Sequence, residues 1–292
     1  MVVEIIHHAD GKILEWKWST NNALMEKPFW TSAYLVDRIL IDCGAPASVE
    51  EIDQFLMGLP KEKFPIACYL THAHEDHAGT AYFIIKKFNI PVYCPPQSVS
   101  LLKTGWDYKE YRQMTWGDMG FTGFDAIPFE TPIKTPNGFV FDALPMPGHS
   151  PDLHGFIEKR QGWAFLGDMM LPQYQMLFGQ TCEIQEDIQV IAESLEKLYV
   201  STEGIENLQM FVSGKGAYVG REVIRIRLEE IYDLHKKVHE ANAKLEPDMK
   251  PTRKMRKLLQ ELFGGESFFG GMTAGELSRA NMIESCLKWP LA

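Results

Sequence analysis

The chain is 292 residues long, 45% hydrophobic and 23% charged, which is ordinary globular usage and enough length to bury a full core. A net charge of −10 speaks against a nucleic-acid surface, and no apolar run approaches the length of a membrane span. Five scattered cysteines (Cys43, Cys68, Cys94, Cys182, Cys286) without C-x-x-C spacing, and a start at Met1 to Lys12 that lacks a secretory leader pattern, are expected of a cytoplasmic protein with reduced thiols.

Residues 2 to 18 alternate apolar and polar around Asp10-Gly11, the signature of a β-hairpin. His7 and His8 fall on this hairpin and read as strand residues. Ile66 to Leu70 forms the next apolar strand, and directly after it stands Thr71-His72-Ala73-His74-Glu75-Asp76-His77. Neutral imidazole is the commonest transition-metal ligand, and a carboxylate beside it suits a hydrolytic zinc-type centre. His72 and His74, two residues apart in an extended loop, turn their rings to one side, whereas Glu75 alternates away from them, either solvated or as a helix N-terminal charge. Asp76 and His77 open a helical stretch over 81–88, whose N-terminal amides favour anions.

Residues 100 to 136 then carry Trp106, Tyr108, Tyr111, Met114, Trp116, Met119, Phe121 and Phe124, either as core or as an apolar lid. Three further strands follow, each ending in a loop that bears a candidate residue. Residues 139–144 lead to Pro147-Gly148-His149-Ser150-Pro151, residues 162–166 to Gly167-Asp168, and residues 208–212 to Ser213-Gly214-Lys215-Gly216. Met169, Met170, Tyr174, Met176 and Phe178 form a second apolar cluster after Asp168, open to the same two readings. In a layered α/β protein such strand-end loops are where sites assemble.

Beyond about residue 220 the pattern becomes helical. Ile224, Leu228, Ile231, Leu234 and Val238 make one apolar stripe, and Met255, Leu258, Leu259 and Leu262 another. Thr273-Ala274-Gly275-Glu276 reads as a capping box opening a last helix through Leu287. His235 and His239 lie four apart on the first of these helices, but lysine at 236 removes the zinc-protease pattern, so a solvated face is expected.

The ordered set of loops resembles the metallo-β-lactamase superfamily, its glyoxalase-II-like branch in particular, over about residues 30 to 220. Tyr34-Leu35-Val36 leading to Leu40-Ile41-Asp42-Cys43-Gly44 looks like the family's opening strands and turn. The resemblance implies an α/β fold, an αββα sandwich over residues 1–220 with a C-terminal helical extension over 221–292. It implies a first metal set of His72, His74 and His149, and a second of Asp76, His77 and a last histidine, with Asp168 bridging. His154 stands one position off a further family histidine and reads as structural, with hydrogen bonding behind the ligands as the alternative. Asp42 either orients a ligand or holds its turn.

The last histidine is replaced by Lys215 in Gly214-Lys215-Gly216. A protonated lysine cannot ligate a metal and repels a second cation nearby. Three readings stand open: Lys215 supplies a fixed catalytic charge in place of the second metal, it points away from a weaker second site, or the site is degenerate. The cofactor implied is a divalent metal, zinc first with manganese or iron as alternatives, as one or two ions. The function implied is hydrolysis of a small ester, thioester or lactone-type acyl bond by a metal-activated water, with Asp76 as the proton acceptor. The alternatives are a mononuclear iron oxidoreductase like the persulfide dioxygenases and a metal-binding protein without catalysis. The partner expected is a small-molecule substrate, with neither nucleic acid nor membrane. The helical extension is left to shape the substrate mouth or a homo-oligomer contact.

Overall fold

The computed structural model describes residues 1–20, 28–117, 120–180 and 185–291. They group into two compact units, one of Met1–Pro145, Asp152–Asp168 and Ile205–Gly220, the other of Met146–Pro151, Met169–Gly204 and Arg221–Ala292.

The first unit is built on two sheets. One has seven strands in sequential order: β1 (Val2–His8), β2 (Ile13–Ser19), β3 (Thr31–Val36), β4 (Ile39–Ile41), β5 (Ala67–Tyr69), β6 (Val92–Cys94) and β7 (Ile127–Pro128). The first four pair antiparallel, beginning with the hairpin expected from residues 2 to 18, and β4 to β7 run parallel. The second sheet contains β8 (Ile133–Lys134), β9 (Val140–Pro145), β10 (His154–Glu158) and β11 (Trp163–Phe165). The short β12 (Leu177–Phe178) belongs to the other unit, and β13 (Gln209–Val212) and β14 (Gly216–Val219) complete the second sheet in the order β14-β13-β11-β10-β9-β8.

Period-two alternation decides which side chains fill which layer. Ile13, Tyr34, Val36, Ile39 and Ile41 point between the sheets and meet Phe141, Phe156, Phe165 and Phe211 from the second sheet. Leu14, Trp16, Trp18, Ala33, Leu35 and Leu40 point the opposite way, into a core with Ile52 and Leu56 of α1 (Val49–Gly58) and with Ala81 and Ile84. The helical turn α2 (Glu75–Ala78) and the helix α3 (Ala81–Phe88) follow β5, and α4 (Val99–Leu102) and α5 (Glu110–Trp116) follow β6. Tyr108, Trp116, Phe121 and Phe124 join this outer core, and Trp106 stacks on Phe121 with centroids 3.8 Å apart, so these residues pack as core; Met119 lies outside the described residues.

The second unit holds the strand pair β12 and β15 (Leu277–Ser278) and the helices α6 (Ile188–Ser201), α7 (Glu222–Ala243), α8 (Pro251–Phe263), α9 (Phe268–Met272) and α10 (Arg279–Lys288). Besides the C-terminal helices it takes in residues 146–151 and 169–204. Two expectations are corrected here. Thr273 does not open the last helix; it closes α9, and the left-handed backbone at Ala274 and Gly275 delays the next helix to Arg279, capped by Ser278 Oγ on Asn281 N. His235 is buried rather than solvated: its ring stacks on Trp289, and the Nε2 atoms of His235 and His239 lie 2.8 and 2.9 Å from the Trp289 carbonyl, where they satisfy the end of α10. The described cysteines Cys43, Cys68, Cys94 and Cys286 are buried free thiols, and Cys182 lies outside the described residues. Among the described residues no helix is long and apolar enough to cross a membrane.

Candidate metal centre

Parallel pairing of β4 with β5 sets their C-terminal ends side by side, with Asp42 N bonded to Tyr69 O at 2.9 Å. Parallel pairing of β11 with β13 does the same for the loops bearing Asp168 and Ser213, and Ser213 N bonds Gly167 O at 2.9 Å. The histidine motif leaves β5 as an extended loop and turns into α2 at His74, which caps it with an extended backbone. His72 and His77 are fully buried, Asp76 is buried and His74 is half-buried.

One carboxylate organises this loop from beneath. Asp42 accepts from Thr71 N at 2.8 Å, from Thr71 Oγ1 at 2.9 Å and from His77 Nδ1 at 2.8 Å. Because the Thr71 hydroxyl gives its one proton to Asp42, it accepts at 3.0 Å from His72 Nδ1, which makes Nε2 the lone-pair nitrogen of His72. That Nε2 lies 3.0 Å from His74 Nδ1, so two imidazole nitrogens converge. Asp42 also takes the Nδ1 proton of His77 and aims its Nε2 the other way. This buried nitrogen makes no hydrogen bond, yet it stands 3.3 Å from Asp168 Oδ1 and 3.5 Å from Asp76 Oδ2. His72, His77 and Asp168 each offer a ligand atom, all within 4.8 Å of one another.

An orphaned imidazole nitrogen facing two carboxylates fits a cation. Without one, a proton takes the place. Burial opposes charge on His77, but the carboxylates of Asp76, Asp42 and Asp168 outweigh it and lift the pKa well above the usual imidazole value.

His149 is described within the second unit. Its Nδ1 lies 2.6 Å from Glu186 Oε1, and the other Glu186 oxygen accepts from Phe178 N at 2.8 Å, so the ring is oriented by a buried carboxylate. Gly148 precedes it at φ +129°, and a Cβ there would come within 2.6 Å of Ile191 N, so only glycine admits this turn.

Lys215 is exposed, and its ammonium stands 4.7 Å from the Phe29 ring centroid, forming no ion pair among the described residues. His154 Nδ1 lies 2.8 Å from Asp152 O and the ring edge meets Phe129, a structural placement on β10. Glu75 opens α2 as a first-turn acid, one of its two expected placements, but it is not solvated. The chain turns helical at His74, so Glu75 swings inward rather than to solvent, and its buried carboxylate pairs with Arg112 on α5. Burial lifts that carboxyl to about 7, against the opposing pull of the guanidinium.

Sequence reasoning missed Glu186 and Asp152. Asp152 Oδ2 accepts from Ala73 N at 2.8 Å and from Ser98 Oγ at 2.6 Å, holding the centre of the histidine loop. Neither acid has a motif spacing that marks it; the nearest signal is the proximity of Asp152 to His149 in the chain.

Known proteins resemble this chain in sequence and in fold. The family model of the metallo-β-lactamase superfamily matches residues 28–200. The chain is 28% identical over 197 residues to the hydroxyacylglutathione hydrolase GloC of Haemophilus influenzae, covering 63% of this chain and 82% of that protein. It is 30% identical over 111 residues to ribonuclease J 1 of Streptococcus pyogenes, covering 30% of this chain and 20% of that protein. Among solved structures, a metallo-β-lactamase from Pontibacter korlensis superposes with a TM-score of 0.60 at 15% identity, over 80% of this chain and 100% of that one.

Proposed function

Because this chain belongs to the metallo-β-lactamase superfamily, with its mixed α/β fold and C-terminal helices, we propose that it is a metal-dependent hydrolase of a small acyl substrate, a thioester first and an ester or lactone next. The observation that carries this reading is the buried His77 Nε2, without a hydrogen bond and facing the Asp168 and Asp76 carboxylates beside the converging nitrogens of His72 and His74. The similarity to a hydroxyacylglutathione hydrolase supports the thioester.

In this reading His72, His74 and His149 hold a first ion and Asp76, His77 and Asp168 form a second set. Zinc is the ion that such imidazole and carboxylate donors suit first. An ion held by these residues would supply Lewis-acid chemistry, a bound water with its pKa lowered toward neutrality and a polarised substrate carbonyl.

The chain's own residues do the rest. Asp42 holds the tautomers of His72 and His77, and Glu186 orients His149 in the same way. Asp76, its carbonyl fixed by Thr31 Oγ1 at 2.7 Å, accepts the proton of the attacking water and passes it to the leaving group. The exposed ammonium of Lys215, resting on the Phe29 ring, supports the reading in which it stands outside the second ligand set and attracts an anionic substrate group.

The test is hydrolysis of a thioester, an ester and a lactone by zinc-loaded wild type and His74→Ala. Turnover by the wild type that His74→Ala loses, together with its tight zinc, is expected. Unchanged turnover in His74→Ala overturns the reading, and bound iron with oxygen uptake turns it into the persulfide-dioxygenase alternative.

A further inference from the structure

Glu15 has no part in the chemistry above, yet its carboxylate is wholly buried on β2. Alternation along that strand puts it on the face of Ile13, turned toward the second sheet, where an apolar side chain would serve packing. Burying an ionised carboxylate is costly unless its oxygens are satisfied. Here Oε2 lies 2.8 Å from His8 Nε2, while Oε1 accepts from Ser32 Oγ at 2.7 Å and from Tyr34 OH at 3.4 Å.

Ser32 carries the connection onward. Its one hydroxyl proton goes to Glu15, which turns the lone pairs toward Gly214 N, donating at 2.9 Å. The Ser32 amide donates to Ser213 Oγ at 3.0 Å. Ser213 N in turn donates to the carbonyl of Gly167, the residue ahead of Asp168, and Ser213 Oγ lies 3.4 Å from the Thr31 hydroxyl that holds Asp76 O. The loop is pressed so closely on the chain before β3 that a Cβ at Gly214 would come within 1.9 Å of Trp30 O.

Resting on the metal-site reading above, we propose that Glu15 is a positioning residue: through Ser32 it fixes the 213–215 loop, and through that loop the backbone that presents Asp168 and Asp76. It touches neither metal nor substrate. Its role is to fix which way the Ser32 hydroxyl points, so that two parallel-strand ends and the α2 turn share one register.

The experiment is zinc affinity by chelator competition, with thermal melting alongside, on wild type, Glu15→Leu, Glu15→Gln, Ser32→Ala and Tyr34→Phe. Glu15→Leu fills the space but accepts nothing, and Ser32→Ala removes the link itself. Both should weaken zinc binding roughly 10- to 100-fold, the range usual for groups behind metal ligands. Glu15→Gln keeps an acceptor for Ser32 and should stay within about threefold of wild type. Tyr34→Phe removes a bond to Glu15 that leads to no site loop, so it should shift melting and leave affinity alone. Wild-type affinity in both Glu15→Leu and Ser32→Ala, whatever their melting temperatures, overturns the proposal. Should Glu15→Leu fail to fold, Ser32→Ala decides alone. A wild-type chain that binds no zinc overturns the metal reading itself, and this inference with it.

Discussion

Asp42→Asn is the sharpest perturbation of the centre, because one carboxylate sets the tautomers of two histidines. Its two oxygens receive three donors, Thr71 N, Thr71 Oγ1 and His77 Nδ1, all within 2.9 Å. The amide has the same shape but a single acceptor oxygen. Its NH2 must face either the Thr71 amide or the His77 Nδ1 proton, leaving a buried donor against a donor. An unsatisfied buried donor costs about 1–3 kcal/mol, so the metal-free protein should melt several degrees lower. If the misfit falls on His77, the ring turns or changes tautomer and Nε2 no longer faces Asp168. Zinc affinity should then fall roughly 10- to 100-fold. Losing the Asp42 charge also weakens the proton's hold on His77, so chelator competition at two pH values separates proton competition from lost orientation. Wild-type zinc affinity at both pH values would refute the claim that Asp42 orients these ligands.

Further outcomes follow from the same geometry. Glu186→Gln removes the carboxylate 2.6 Å from His149 Nδ1 and should weaken zinc binding about tenfold with little change in substrate affinity, read by competition and steady-state kinetics. Lys215→Ala should leave zinc content unchanged, since its ammonium rests on Phe29, but raise KM for anionic substrates several-fold; zinc content that rises in the variant would mean that the ammonium repels a cation from the second ligand set. The raised pKa of His77 has a definite sign in the metal-free protein. Its charged form contributes stability that is complete below the unfolded imidazole pKa of about 6.5 and is lost as pH climbs through the raised folded value. Denaturant melts across that window should therefore fall more steeply for metal-free wild type than for His77→Gln.

What was legible in the sequence is what chemistry writes locally. The spacing of His72, His74 and His77 after an apolar strand, and the Gly167-Asp168 loop after another, depend on short-range order. The structure sets His72, His77 and Asp168 within ligand distance of one another. The strands at 66–70, 139–144, 162–166 and 208–212 correspond within a residue or so to β5, β9, β11 and β13, because alternation and apolar runs fix them.

What was hidden depends on partners far along the chain. Glu15, Asp152 and Glu186 are lone acids whose roles appear only when Ser32, Ala73 and His149 are brought to them. The burial of Glu75 is hidden because extended alternation ends at His74, where the backbone turns helical and the acid that opens α2 faces inward. Thr273 carried a capping pattern that the left-handed pair Ala274-Gly275 overrides.

The central claim is that the histidine loop holds a metal, and anomalous diffraction at the zinc edge from zinc-loaded crystals tests it most directly. The account predicts a peak at about 2.0–2.1 Å from both His72 Nε2 and His74 Nδ1. Zinc-dependent hydrolysis by a protein whose anomalous peak lies away from these nitrogens, or whose crystals show none, would contradict it.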